Sequence, residues 1–174
     1  MQTMAPTGPL FEEMVPQIDE TIRFGKISNK VVKTPAGDKF QVAEVYYTDS
    51  GVFDFFSIPL LTGSSANALN TADDIVISRQ EAERLFGSVE AAVSEVIEIV
   101  DFGKLTVSGV FDNLPDDTHL DLDYVISFGN ADKAMGNAFG ANNSMLGSPK
   151  SVLDWGVVSA FPLYVRLKAG EISL

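Results

Sequence analysis

The stretch from Ile75 to Gly87 constrains this chain more than any other. Ile75-Val76-Ile77 is by composition a short buried strand. Ser78 then opens a capping box. Its hydroxyl can accept from the Glu81 amide, and the Glu81 carboxylate can reach back. Ala82, Leu85 and Phe86 give the helix a buried side, and Gly87 sits where a left-handed C-terminal residue is wanted. A buried strand feeding directly into a capped helix points to a fold that mixes sheet and helix around one core.

The flanking segments fit that frame. Thr7, Gly8 and Pro9 look like a helix start, with Leu10, Met14 and Ile18 at i, i+4 and i+8, and Pro16 ending it. Strands are expected at Glu20–Ser28, Lys30–Thr34 and Lys39–Thr48, the last two joined through Thr34-Pro35-Ala36-Gly37-Asp38. In the third, Phe40 and Val42 share a face with Glu44 and Tyr46, so the alternation is only partial. Gly51 to Leu61, dense in aromatics, reads as a helical turn that plugs the core. Glu95–Asp101 and Lys104–Phe111 read as an antiparallel pair around Gly103, with Leu105, Val107 and Phe111 on one face. Leu122–Phe128 is a further strand. Residues 129–148 are rich in Gly, Asn, Ala and Ser and read as a mobile loop. Phe161, Leu163, Val165 and Leu167 alternate with more polar positions in a late strand.

Composition removes whole classes of function. Against 12 Lys and Arg stand 24 Asp and Glu, a formal net charge of -12. Such a surface repels nucleic acid and anionic lipid alike, so no nucleic-acid partner is expected. There is no cysteine, which excludes disulfides, thiol catalysis and zinc fingers. Phosphate-binding, dinucleotide-binding, nucleophile-elbow and zinc-protease motifs are all missing. No enzyme activity and no cofactor are therefore expected. The N-terminus has no basic segment followed by an apolar run, so it is not read as a signal peptide. A location outside the cytoplasm implies that the chain is cut from something longer.

One local constellation has ligand chemistry. Asp112, Asp116, Asp117, His119 and Asp121 crowd a short stretch that could hold a hard cation such as calcium. The central Gly and terminal Glu of an EF-hand are missing, and a turn built on Pro115 and Asx side chains is the commoner outcome. Met135, Phe139, Met145, Leu146 and Trp155 form a candidate surface for a substrate or partner, and equally for a loop folded over the core. Phe53, Phe55 and Phe56 suit a core better than a ligand pocket. Arg79 and Arg84 suit a solvated helix face.

Several segments together resemble the MacB-like periplasmic core domain of FtsX/MacB-type ABC transporter permeases. Pro9-Leu10 through Ile22-Arg23-Phe24 is similar to the helix and strand that follow the family's first membrane helix. Val52 to Gly63 resembles F-x-x-F-x-x-x-L-L-x-G, and Ile75 to Gly87 resembles V-V-I-S-x-x-x-A-x-x-L-F-G. Val107 to Pro115 with Thr118-His119 resembles V-x-G-V-x-x-x-[LI]-P-x-x-[ST]-H, and Trp155 with Tyr164-Val165-Arg166-Leu167 resembles a late W…Y-V-x-L strand. The ordered set covers most of the chain, and the L-P-x-x-T-H turn resembles Bacteroidetes-type permeases. Ala92-Val93-Ser94-Glu95 stands where the family usually has P-x-G-K, so a tight glycine turn is missing. The family domain also usually continues past the late strand, so truncation at the C-terminus is expected.

The resemblance implies an extracytoplasmic domain on the periplasmic side of the bacterial inner membrane. Its partners would be its own membrane helices, a second permease subunit, a cytoplasmic ATPase acting indirectly, and a periplasmic protein. The expected fold is α+β, with mixed and antiparallel sheets and a few short helices. It would have two lobes, one at about 1–73 and 150–174, the other at about 74–128, with the loop at about 129–149 between them. The implied role is mechanical, coupling membrane-helix motion to substrate or partner handling. A free-standing secreted module for a sugar or peptide is the alternative, and an acidic hydrolase a third.

Overall fold

A computed structural model of the chain describes residues 2–115, 117–134 and 159–170. In chain order the elements are β1 (Gln2–Met4), α1 (Thr7–Met14), β2 (Ile18–Lys33), β3 (Lys39–Thr48), α2 (Val52–Phe55), β4 (Leu60–Thr62), β5 (Asp74–Ser78), α3 (Arg79–Phe86), α4 (Val89–Ala92), β6 (Val96–Ile99), β7 (Gly103–Phe111), β8 (Tyr124–Ser127) and β9 (Ser159–Leu167). Short 3-10 turns occupy Ser65–Asn67 and Phe128–Asn130. The fold mixes a large sheet with a few short helices, as expected. No described helix is long and apolar enough to cross a membrane.

The hydrogen-bond ladder closes on itself. β2 pairs antiparallel with β3, β3 parallel with β8, β8 antiparallel with β5, β5 parallel with β7, and β7 antiparallel with β6. β6 returns to β2, with Val32 opposite Ile99 and Lys33 opposite Glu98. A closed ring leaves no open edge among these six strands and so resists shear better than an open sheet. Outside it, β9 lies along the first part of β2, β1 along β9, and β4 along β7.

The two strands expected on either side of Asn29 are one. β2 runs for 16 residues, and its pairing with β3 continues past Asn29, with Ser28 opposite Glu44 and Lys30 opposite Val42. Asn29 holds φ +56, which an asparagine tolerates better than most residues. Ile27 and Val32 are five residues apart, yet both are buried in one core cluster. Simple alternation would put them on opposite faces, so the strand turns over at this corner. Val42 and Val45 show the same switch on β3, which explains the partial alternation of its sequence. The hairpin between β2 and β3 closes as expected, with the Thr34 amide donating to the Asp38 carbonyl and Gly37 at φ +93.

A second switch corrects the expected face of Phe111. On β7, Val107 faces Ile75 of β5 but Gly109 faces Val76, so Ser108 is an extra residue. Its hydroxyl donates to the carbonyls of Ala68 and Ile75. The bulge reverses the alternation beyond it. Val110 joins Leu105 and Val107 in one core cluster, and Phe111 enters the other beside Phe53, with ring centroids 5.8 Å apart. Val52 and Phe53 of α2 are buried there, so the aromatic turn is a core plug as its composition indicated. Burying a phenylalanine of this kind stabilises by ~1.5–3 kcal/mol.

Candidate functional site

Arg23 lies where β2 changes partners. It is the last β2 residue paired with β9, opposite Leu163, and Phe24 is the first paired with β3, opposite Thr48. Its backbone amide and its Nε both donate to Asp49 Oδ2, at 2.8 and 2.9 Å, and Nη2 donates to Oδ1. Nη1 donates to the Ala5 carbonyl at 2.7 Å, between β1 and α1. The guanidinium stands 4.0 Å from the centroid of the Phe128 ring. Phe128 in turn packs on Tyr47 and Phe161, at 5.8 and 5.3 Å between centroids. The Thr48 hydroxyl donates to the Arg23 carbonyl at 2.7 Å. Side chains of Arg23 and Asp49 retain only 15% and 23% exposure, so solvent and salt screen the pair weakly. The Arg23 side chain thus ties β2 to three other segments, at Ala5, Asp49 and Phe128.

A cleft of about 250 Å³ opens between β3, α3 and the chain before β8, lined by Glu44, Glu81, Arg84, Asp121, Asp123 and Tyr124 among others. The expected capping box forms by half. The Ser78 hydroxyl accepts from the Glu81 amide at 3.3 Å, but the Ser78 amide donates to the Asp123 carbonyl. With that donor taken, the buried Glu81 carboxylate turns to Arg84 and to the Tyr124 hydroxyl, which donates to it. Burial, reinforced by the Glu81 hydrogen bond, pushes the Tyr124 phenol far above its ordinary range. Burial also raises the Asp123 carboxyl, against the opposing Ser78 hydrogen bond. Arg84 is exposed, as expected of a solvated helix face, while its guanidinium stands 5.0 Å from the Phe40 ring centroid and donates to Glu81 and to the Tyr124 hydroxyl.

The acidic turn spreads its side chains. Asp112 Oδ1 lies 3.3 Å from Arg79 Nε and accepts from the Asn113 amide at 2.9 Å. Asp117 is exposed, and Asp121 lines the cleft. His119 Nε2 is 2.9 Å from the Tyr164 hydroxyl, and the two rings stand 5.7 Å apart. Asp116 lies outside the described residues. Among the described residues no three His, Cys, Asp or Glu side chains gather around a point that could hold a metal. Met135, Phe139, Met145, Leu146 and Trp155 also lie outside the described residues.

A family model for the MacB-like periplasmic core domain matches residues 3–171. The chain belongs to that family. Two solved structures share the fold. One is a domain described as part of a permease protein from Porphyromonas gingivalis, with TM-score 0.76 and 17% identity over 99% of this chain and 71% of that one. The other is the periplasmic region of MacB from Actinobacillus actinomycetemcomitans, with TM-score 0.67 and 12% identity over 99% of this chain and 69% of that one. No curated protein matches the chain. Membership makes this a periplasmic domain of the ABC-transporter permease class.

The MacB-like domain departs from the usual glycine turn after α4 without losing the turn. Ser94 takes φ +69, its amide donates to the Val107 carbonyl at 2.8 Å, and Glu95 closes back on Ala92. A serine occupies the left-handed conformation that a glycine adopts without strain. Sequence reasoning missed the Arg23 junction. The available signal was a lone arginine between Ile22 and Phe24, both buried, with an acid at the end of the next strand.

Proposed function

We propose that this MacB-like domain acts as a non-catalytic lever in an ABC-type permease. Movements of the membrane helices, driven by a cytoplasmic ATPase acting from outside this chain, would enter at the β1–α1–β9 edge. They would pass to the ring and so to a bound substrate or a periplasmic partner. A second permease subunit would complete the assembly, and the two-lobe division is part of the same proposal. The observation that carries it is β2 itself. Its first six residues belong to the β9 edge, and its last ten belong to the ladder with β3. One unbroken strand that leaves β9 and at the next residue joins β3 is a covalent path for displacement from the terminal edge into the ladder.

Replacing residues 3–171 of the full-length permease by a flexible linker tests this. ATP hydrolysis by the partner ATPase should continue while transport or signalling output stops. Output that survives the replacement, or chemical turnover of a substrate by this domain alone, would end the proposal.

A further inference from the structure

We infer that Arg23 is the joint that makes the terminal edge and the strand ring move as one body. The inference rests on the lever reading above and names the residue through which the lever works.

Arg23 stands at the single step of β2 where pairing passes from β9 to β3. Displacing the β1–α1 junction moves Ala5, whose carbonyl is held by Nη1. Displacing β9 moves Phe161, which packs on Phe128 beneath the guanidinium. The same planar group grips Asp49 at the end of β3 through two parallel bonds, and the Arg23 amide adds a third. A rigid fork of charge-assisted donors holds carbonyl, carboxylate and ring in a fixed relation that a lysine cannot reproduce. Helix α1 comes close enough to take part because residue 8 is glycine. A Cβ there would meet Thr21 Oγ1 at 2.7 Å and Leu163 Cδ1 at 3.1 Å. An ion-pair bridge elsewhere on this edge, from Arg166 to Asp19 and Glu20, has an arginine 42% exposed, where water competes for each bond.

The test uses the full-length permease with its ATPase in phosphatidylethanolamine and phosphatidylglycerol vesicles that carry an acceptor lipid. These 174 residues hold no cysteine, so once any cysteine elsewhere in the permease and its ATPase is replaced by serine, a donor dye can be attached through Lys168→Cys at the edge or Asp38→Cys at the tip of the β2–β3 hairpin, both exposed. With Arg23 intact, ATP changes energy transfer at both positions. In Arg23→Met and Arg23→Lys the edge response should persist, and the hairpin response should fall to under about a third of its original size. A hairpin response of full size in these variants overturns the joint and leaves the lever standing. If Arg23→Met fails to fold, as judged by its melting curve, Asp49→Asn keeps the side-chain shape while removing the charge and should give the same loss. No ATP response at either position with Arg23 intact overturns both the lever and the joint.

Discussion

Ser78 holds Asp123 twice: its amide donates to the Asp123 carbonyl and its hydroxyl to Asp123 Oδ1, each at 2.9 Å. This double contact clamps the chain entering β8 onto the N-terminus of α3. It also sets how Asp123 titrates. Burial raises the carboxyl above its usual 3.8, so the folded protein holds that proton more tightly than the unfolded chain. The associated stability is fully present below pH 3.8 and is lost as pH rises through the raised folded value. Asp123→Asn keeps the Oδ1 acceptor and removes that loss. Its melting temperature at pH 7 should exceed that of the parent, with the gap closing towards pH 4. A variant that melts lower at pH 7 would show that the charge is useful where it stands.

Alkaline titration gives a second check. Burial drives the Tyr47 phenol up to about 12, and those of Tyr46 and Tyr124 rise further, with Glu44 and Glu81 adding to the effect of burial. Three of the four tyrosines should therefore stay protonated at pH 11 in the native protein. Unfolded phenols ionise near 10, so stability should fall from pH 10 upwards. Absorbance of phenolate in native and denatured protein measures both. Full phenolate absorbance at pH 11 in the folded protein would contradict the burial described.

Ser94 offers a third. Its left-handed backbone costs a non-glycine residue about 1–2 kcal/mol, and the greater freedom of an unfolded glycine offsets part of any gain. Ser94→Gly should stabilise by about 0.5–1 kcal/mol in urea denaturation, and Ser94→Val should destabilise. An unchanged midpoint for both would mean that the turn relaxes around any residue.

The opposite sign is expected at Gly25. It lies directly across from Tyr47 in the β2–β3 ladder, and an added Cβ would come within 2.1 Å of the Tyr47 ring. Tyr47 is 2% exposed and cannot swing out without opening the core it shares with Phe128 and Phe161. Gly25→Ala should cost about 1–3 kcal/mol by overpacking, read from the same urea transition. No loss would show that Tyr47 has room that these contacts deny it.

Much of the fold was legible along the chain because it is locally encoded. The Ser78 cap, the Gly87 terminator, the Thr34–Asp38 turn and the Phe53 plug each depend on residues within a few positions of one another. Family membership was legible for a related reason, since its motifs are these same local devices in order. Places where the reading failed share a different cause. Phe111 changed face because Ser108 is bulged against β5, more than thirty residues away in sequence. Glu81 left its box because Asp123, forty-two residues on, supplied the backbone acceptor first. Asn29 looked like a break between strands, whereas pairing with β3 carries β2 through it.

The sequence by itself determined the capped helix α3, the Thr34–Asp38 turn, the aromatic plug and the family their order spells, because caps, turns and periodicity act over one or two turns of chain. Tertiary structure alone decided that six strands close into a ring and that Arg23 bridges the ring and the terminal edge. Both depend on pairings between residues far apart in the chain, whose closure is set by register and packing rather than by any local propensity.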